Sequence, residues 1–331
     1  MRTRLATTLL ATVIGSAGVL ALAACGSGSD ADGSAAAPTT AAGGKVAVVA
    51  STDVYGSIAS AVGGDLVEVT SLINSSTADP HEYESTPADA ATVARAALVV
   101  VNGGGYDDFA ARLVESSGTK ATVIDAVQLS GLPGAPEAGG DSSPPDPDGH
   151  DHGEFNEHVW YSLPTVRKVA DEIAKDLGAA DPADAATYTA NAQRFGTDLD
   201  GLQQKVDAIK AAHAGERIAV TEPVPLYLTE AAGLQNATPE EFSEAVEEGT
   251  DPAAAVLAST LEIVGGPDPV TTLVVNNQTE SPSTQKVADT AEAAGVPVVE
   301  VGETLPEGVD SYVAWQSAQL DALAGALNGA A

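Results

Sequence analysis

The chain has one cysteine, one methionine and five histidines in 331 residues, and aromatic residues make up only 4% of it. With Cys25 alone, no disulfide can form within the chain. Basic residues are also scarce: 14 Lys and Arg stand against 47 Asp and Glu, giving a formal charge of −33. Phosphate backbones are held by clustered Lys and Arg, so this balance excludes a nucleic-acid partner. It suits solubility and long-range attraction of cations. The sequence carries no HExxH and no GxSxG, which counts against a zinc hydrolase helix and a nucleophile elbow. No repeat of fixed period is present.

What the chain does have begins at its N-terminus. Arg2 and Arg4 precede an apolar run that reaches about residue 24, ends in Leu22-Ala23-Ala24-Cys25-Gly26 and passes into Ser27-Gly28-Ser29-Asp30. This is the layout of a secretory signal, predicted over residues 1–24. It resembles the lipobox of bacterial lipoproteins, in which the cysteine becomes the lipidated first residue of the mature chain. A plain membrane anchor is the rival reading, since about 20 apolar residues span a bilayer. The run is rich in Ala, Thr and Gly, and it stops at Cys25. Residues 25–44 are Ala, Gly, Ser, Thr, Asp and Pro, too polar and small to bury a core, and are expected to form a flexible tether.

From Lys45 onward, strand-like and helix-like runs alternate. Strands are predicted at 45–50, 66–73, 97–102 and 121–126, with helices at 53–62, 87–96 and 106–116 between them. The rhythm stops at residues 131–157, a Gly-, Pro- and Asp-rich segment that includes His150-Asp151-His152 and reads as a mobile loop. A long helical stretch over 163–213 follows, with Asp181-Pro182 as a break. A second βα set then runs through strands at 217–221, 270–275 and 296–301 and helices at 225–232, 252–264, 283–294 and 310–327. The fold class is therefore α/β, with two parallel-sheet lobes, 45–162 and 214–331, joined by a long helical link. The size suits a monomer of two ordinary domains.

Ligands of open α/β sheets bind beyond the carboxyl ends of the strands. His81 follows the second strand, in Thr77-Ala78-Asp79-Pro80-His81-Glu82-Tyr83-Glu84-Ser85-Thr86-Pro87. His158 stands where the mobile loop re-enters ordered chain. Glu222 follows the strand at 217–221, Glu303 the strand at 296–301, and Glu280 lies beyond the strand at 270–275. Two imidazoles and two carboxylates from opposite lobes would balance a dication, either Zn²⁺ or Mn²⁺. Each residue also has an ordinary role open to it. His81 could be a solvated loop histidine and His158 a helix-flanking residue. Glu222 could be a helix N-terminal acid, and Glu303 a turn residue.

The segment Asp79-Pro80-His81-Glu82-Tyr83-Glu84-Ser85-Thr86-Pro87-Ala88-Asp89 resembles the DPHxYEPTPxD segment of the zinc and manganese solute-binding proteins of ABC importers, of the cluster A-I type. Asn156-Glu157-His158-Val159-Trp160 is similar to that family's xxHxW segment. The resemblance covers nearly everything from Lys45 to Leu327. It implies two lobes linked by a rigid helix with the metal between them. It also implies ligand roles for His81, His158, Glu222 (within Val220-Thr221-Glu222-Pro223) and Glu303 (within Val301-Gly302-Glu303-Thr304), with Glu280 as runner-up. The loop carrying His150 and His152 resembles the His- and acid-rich loop of zinc members, which would gather metal at the cleft mouth. The implied protein is an extracytoplasmic receptor, held to the cell membrane by lipid on Cys25, that passes a metal ion to a membrane permease and performs no catalysis. The rival readings are a secreted zinc hydrolase and the same fold carrying a metal chelate.

Overall fold

The computed structural model describes residues 44–76, 78, 80–81, 83–136 and 155–329. The signal, the tether with Cys25, and the loop histidines His150 and His152 lie outside the described residues.

The first sheet comprises β1 (Val46–Thr52), β2 (Val67–Ile73), β3 (Leu98–Val101) and β4 (Thr122–Asp125), all parallel, in the order β2-β1-β3-β4. Its central strands are continuous apolar runs because helices cover both faces: β3, Leu-Val-Val-Val, is wholly buried. The covering helices are α1 (Asp53–Gly63), α2 (Pro87–Val93), α3 (Asp108–Ser117) and the short α4 (Ala126–Ser130). The second sheet repeats the arrangement. Its strands β5 (Arg217–Val220), β6 (Gln235–Asn236), β7 (Thr272–Asn276) and β8 (Val298–Val301) are parallel, in the order β6-β5-β7-β8. In each sheet the order reverses beside the first strand, so a crevice opens there at the strands' carboxyl ends.

Between the sheets run α5 (Leu163–Ala180) and α6 (Ala185–His213). Ser162 caps α5 by accepting from Thr165 N–H, and Pro164 takes the first turn, where its missing N–H costs nothing. The helical stretch breaks at Asp181-Pro182, and α6 folds back along α5 as the longer member of a hairpin. The described residues of the second lobe add α7 (Leu226–Ala231), α8 (Glu240–Glu247), α9 (Ala254–Gly265), α10 (Pro282–Ala293) and α11 (Tyr312–Leu327). Three short elements, α4, β6 and α8, have no counterpart in the sequence reading.

The buried side chains divide into three clusters. Two lie on the outer faces of the sheets. The third is continuous across the molecule: Val48 and Val100 of the first sheet, Phe195, Leu199 and Leu202 of α6, and Val220 and Val274 of the second sheet belong to one apolar core. The lobes are thus fused along α5, α6 and α11. Among the described residues, no helix is long and apolar enough to cross a membrane.

Candidate metal centre

His81 sits on the loop between β2 and α2, and the residues after it explain why the motif is so constrained. Thr86 N-caps α2 by accepting from Asp89 N–H, while Asp89 Oδ2 accepts from Thr86 N–H at 2.7 Å, closing a capping box with Pro87 in the first turn. Tyr83 donates to the same Asp89 oxygen and packs against Phe109 with ring centroids 4.6 Å apart. The loop is therefore pinned just downstream of the histidine. The His81 ring meets Tyr106 edge-on at 5.0 Å and lies 6.2 Å from the ring of His158.

His158 is fully buried, N-terminal to a 3-10 turn over Val159–Tyr161. Its Nδ1 stands 2.7 Å from Asn156 Oδ1. Asn156 orientation is set by two further bonds: Oδ1 also accepts from His158 N–H, and Nδ2 donates to Pro223 C=O at 2.9 Å. Nδ1 must then carry the proton, which leaves the Nε2 lone pair for a ligand. Burial, and next the neighbouring His81, push the His158 pKa well below its ordinary value, so the ring is a neutral donor.

Glu222 follows β5 and Glu303 follows β8, and both are 2% exposed. Asn276, at the end of β7, joins them through one nitrogen: Nδ2 donates to Glu222 Oε2 and, at 2.8 Å, to Glu303 Oε1. Glu303 N–H donates to Gln278 Oε1. Gln278 Nε2 in turn donates across the crevice to Ala78 C=O, at 2.8 Å, and to Thr304 Oγ1, at 2.9 Å. Thr304 Oγ1 donates to Ser75 C=O at 3.2 Å. The loop bearing His81 is thus bonded to the strand-end residues of the other lobe.

The sequence reading missed Glu247, the last residue of α8. Donor atoms of His81, His158 and Glu247 all lie within 4.8 Å of one another, and Glu247 Oε1 is 3.7 Å from His158 Nε2. Burial, followed by the charges of Glu157, Glu222 and Glu303, raises the Glu247 pKa to about 9. Glu247 with Glu157, Glu222 and Glu303 acting on it, beside His81 and the neutral His158 ring, forms an electrostatic deficit that a cation would relieve. The structure thus brings His81 and His158 together with Glu247, while Glu222 and Glu303, bridged to each other by Asn276, act on Glu247 electrostatically and stand outside that three-residue group. Glu280 is exposed in the turn before α10 and is not in the cluster. A signal for Glu247 did exist: Phe242 and Val246 have helical spacing just before Gly249. It was obscured by the many acids around it.

Residues 48–326 match the family described as zinc-uptake complex component A, periplasmic (ZnuA). The chain belongs to this family. The ZnuA family supplies uptake components rather than enzymes, which sets the hydrolase reading aside. The chain is 28% identical over 218 residues to the manganese-binding lipoprotein MntA of Halalkalibacterium halodurans, covering 65% of this chain and 66% of that one. It thus spans just under two thirds of that relative's length. It is 29% identical over 238 residues to the iron ABC transporter substrate-binding lipoprotein MtsA of Streptococcus pyogenes serotype M1, covering 68% and 71%. The periplasmic zinc-binding protein TroA of Treponema pallidum superposes with a TM-score of 0.66 at 16% identity, over 86% of this chain and 99% of that one. FpvC of Pseudomonas aeruginosa with Mn²⁺ gives 0.65 at 23%, over 87% and 100%. These two likenesses establish the fold: two helix-rich, parallel-sheet α/β lobes.

Proposed function

We propose that this ZnuA-family chain is the lipid-anchored receptor of an ABC importer, capturing one divalent transition-metal ion between its lobes and passing it to a membrane permease. The observation that carries the reading is the meeting of two imidazoles, His81 and His158, opposite the acidic strand ends of the second lobe. His81, His158, Glu222 and Glu303 are the ligands in this reading. The cargo is Zn²⁺ or Mn²⁺, and the carboxylate share of the site favours manganese. Relatives named for manganese, iron and zinc are consistent with a first-row dication.

The order along the chain in this reading is an export signal over 1–24, a lipid-bearing tether over 25–44 starting at Cys25, a first lobe over 45–162, a helical link over 163–213 and a second lobe over 214–331. Cys25 would hold the chain at the outer face of the cell membrane, and His150 and His152 would screen ions at the crevice mouth.

The test is titration of chelator-stripped protein with Zn²⁺ and with Mn²⁺ by calorimetry. One ion per chain is expected, with affinity lowered by at least about 100-fold in His81→Ala, since a direct ligand should cost no less than the 10–100-fold of an outer-shell group. Absence of binding to either ion would overturn the reading. Metal-chelate uptake would leave binding intact in His81→Ala.

A further inference from the structure

We propose that Glu247 is a fifth protein ligand for the captured ion and the residue that turns the site's selectivity toward Mn²⁺ and away from Zn²⁺. This rests on the receptor reading above and extends it.

The geometry comes first. The 3.7 Å between Glu247 Oε1 and His158 Nε2 is too long for a hydrogen bond. Two donors about 2.1 Å from a shared ion, at angles of 90–120°, stand roughly 3.0–3.7 Å apart, which is the separation seen. Both atoms are buried, and neither has a hydrogen-bond partner among the described residues. His81 offers its ring nitrogen within the same 4.8 Å envelope. The three groups come from three separate points on the chain.

The support for Glu247 is also firm. It ends a helix whose inner face is fixed by Phe242, fully buried, and Val246, 5% exposed. A carboxylate carried by packed helix is presented with less positional freedom than one on a loop. Its neighbours Glu157, Glu222 and Glu303 act on it electrostatically, and Glu157 also shares a hydrogen bond with it, so the carboxylate lies close to the strand-end acids.

The chemistry then sets the selectivity. Zinc sites close at four ligands, and the four sequence-assigned residues would already satisfy one. A third carboxylate adds a fifth group, or a sixth donor atom if one carboxylate chelates. That larger, oxygen-rich shell matches Mn²⁺, which favours octahedral oxygen-rich coordination. For Zn²⁺ the added oxygen is surplus, and the anion beside a filled tetrahedron brings little.

The experiment compares wild-type, Glu247→Gln and Glu247→Asp protein, each stripped of metal and titrated separately with Mn²⁺ and Zn²⁺. Glu247→Gln is expected to lose at least about 100-fold in Mn²⁺ affinity, more than the 10–100-fold of an outer-shell group, while Zn²⁺ affinity changes less than about threefold. Glu247→Asp should recover part of the Mn²⁺ loss. Water-proton relaxation on the Mn²⁺ forms gives a second readout, rising in Glu247→Gln as solvent takes the vacated position. Unchanged Mn²⁺ affinity, or equal losses for both ions, would overturn the proposal. A wild-type chain that binds neither ion would overturn the receptor reading itself. Binding abolished by His81→Ala yet untouched by Glu247→Gln would remove only the role of Glu247.

Discussion

Asn156 holds His158 by two atoms at once: its Oδ1 accepts from the backbone N–H at 3.1 Å and faces the ring Nδ1 at 2.7 Å. Asn156 is itself tied to the second lobe, donating to Pro223 C=O and accepting from Tyr227 O–H through its own carbonyl. The tautomer of a first-lobe histidine therefore depends on contacts made by the second. Asn156→Ala should lower metal affinity by about 10–100-fold while leaving one ion per chain. Calorimetric titration decides it, and an unaltered affinity would show that His158 is oriented by packing alone.

Asn276 separates two buried carboxylates with a single amide nitrogen. Asn276→Asp would replace that donor with a third negative charge. The metal-free variant should lose about 3–5 kcal/mol, as breaking a buried charge partnership does, and bound metal should restore much of it. Thermal denaturation with and without metal measures this. A variant whose melting temperature falls equally in both states would contradict a role for Asn276 in spacing the acids.

Metal-free protein should lose stability as pH rises from 7 to 9. The folded-state pKa of Glu247, about 9, lies above its unfolded value, so the stability it contributes is complete below the ordinary carboxylate range and disappears as pH climbs through 9. The slope is at most about 1.4 kcal/mol per pH unit. Asp107, buried and raised to about 6, acts in the same sense but has finished titrating by pH 7. His158 has the opposite sign, since its lowered pKa removes stability only as pH falls below 6.5. Melting curves at pH 7, 8 and 9 should descend, and Glu247→Gln should flatten them. A rising or level wild-type series would contradict the assignment.

Gln278 donates to the His81 loop, at Ala78, while accepting from the backbone of Glu303. Gln278→Leu should release bound metal roughly tenfold faster, the loss of about 1.4 kcal/mol that one hydrogen bond supplies. Stopped-flow mixing with a chelator reads the rate. No change in release would mean that the Gln278 bond does not hold the loop and that Tyr83, Thr86, Asp89 and the Thr304–Ser75 bond suffice.

Much of this architecture could be read from the chain because parallel strands buried on both faces are written as unbroken apolar runs. Residues 97–101 and 273–275 are clear cases. The His81 motif was legible for a different reason: Thr86, Pro87 and Asp89 spell a helix start, so the histidine ahead of them is held at a strand's end. Glu222 and Glu303 could be singled out as candidates because each stands two residues beyond a strand's end. Glu247 could not be found that way. It reaches the crevice from the C-terminus of a two-turn helix, whose approach is set by tertiary packing of Phe242 and Val246 and not by any local rule. The partnership of Asn276 with both acids was hidden too, since it joins residues 54 and 27 positions apart.

The apolar interior that runs unbroken from Val48 through Phe195 to Val274 has a mechanical result. Two halves sharing one interior cannot swing apart like jaws without exposing oily surface to water. In the receptor reading, unloading would be worked at the rim, where Ser75 and Ala78 accept from Thr304 and Gln278. A transporter would need to break only those two bonds, and the rest of the molecule would leave the encounter unstrained and ready for the next ion.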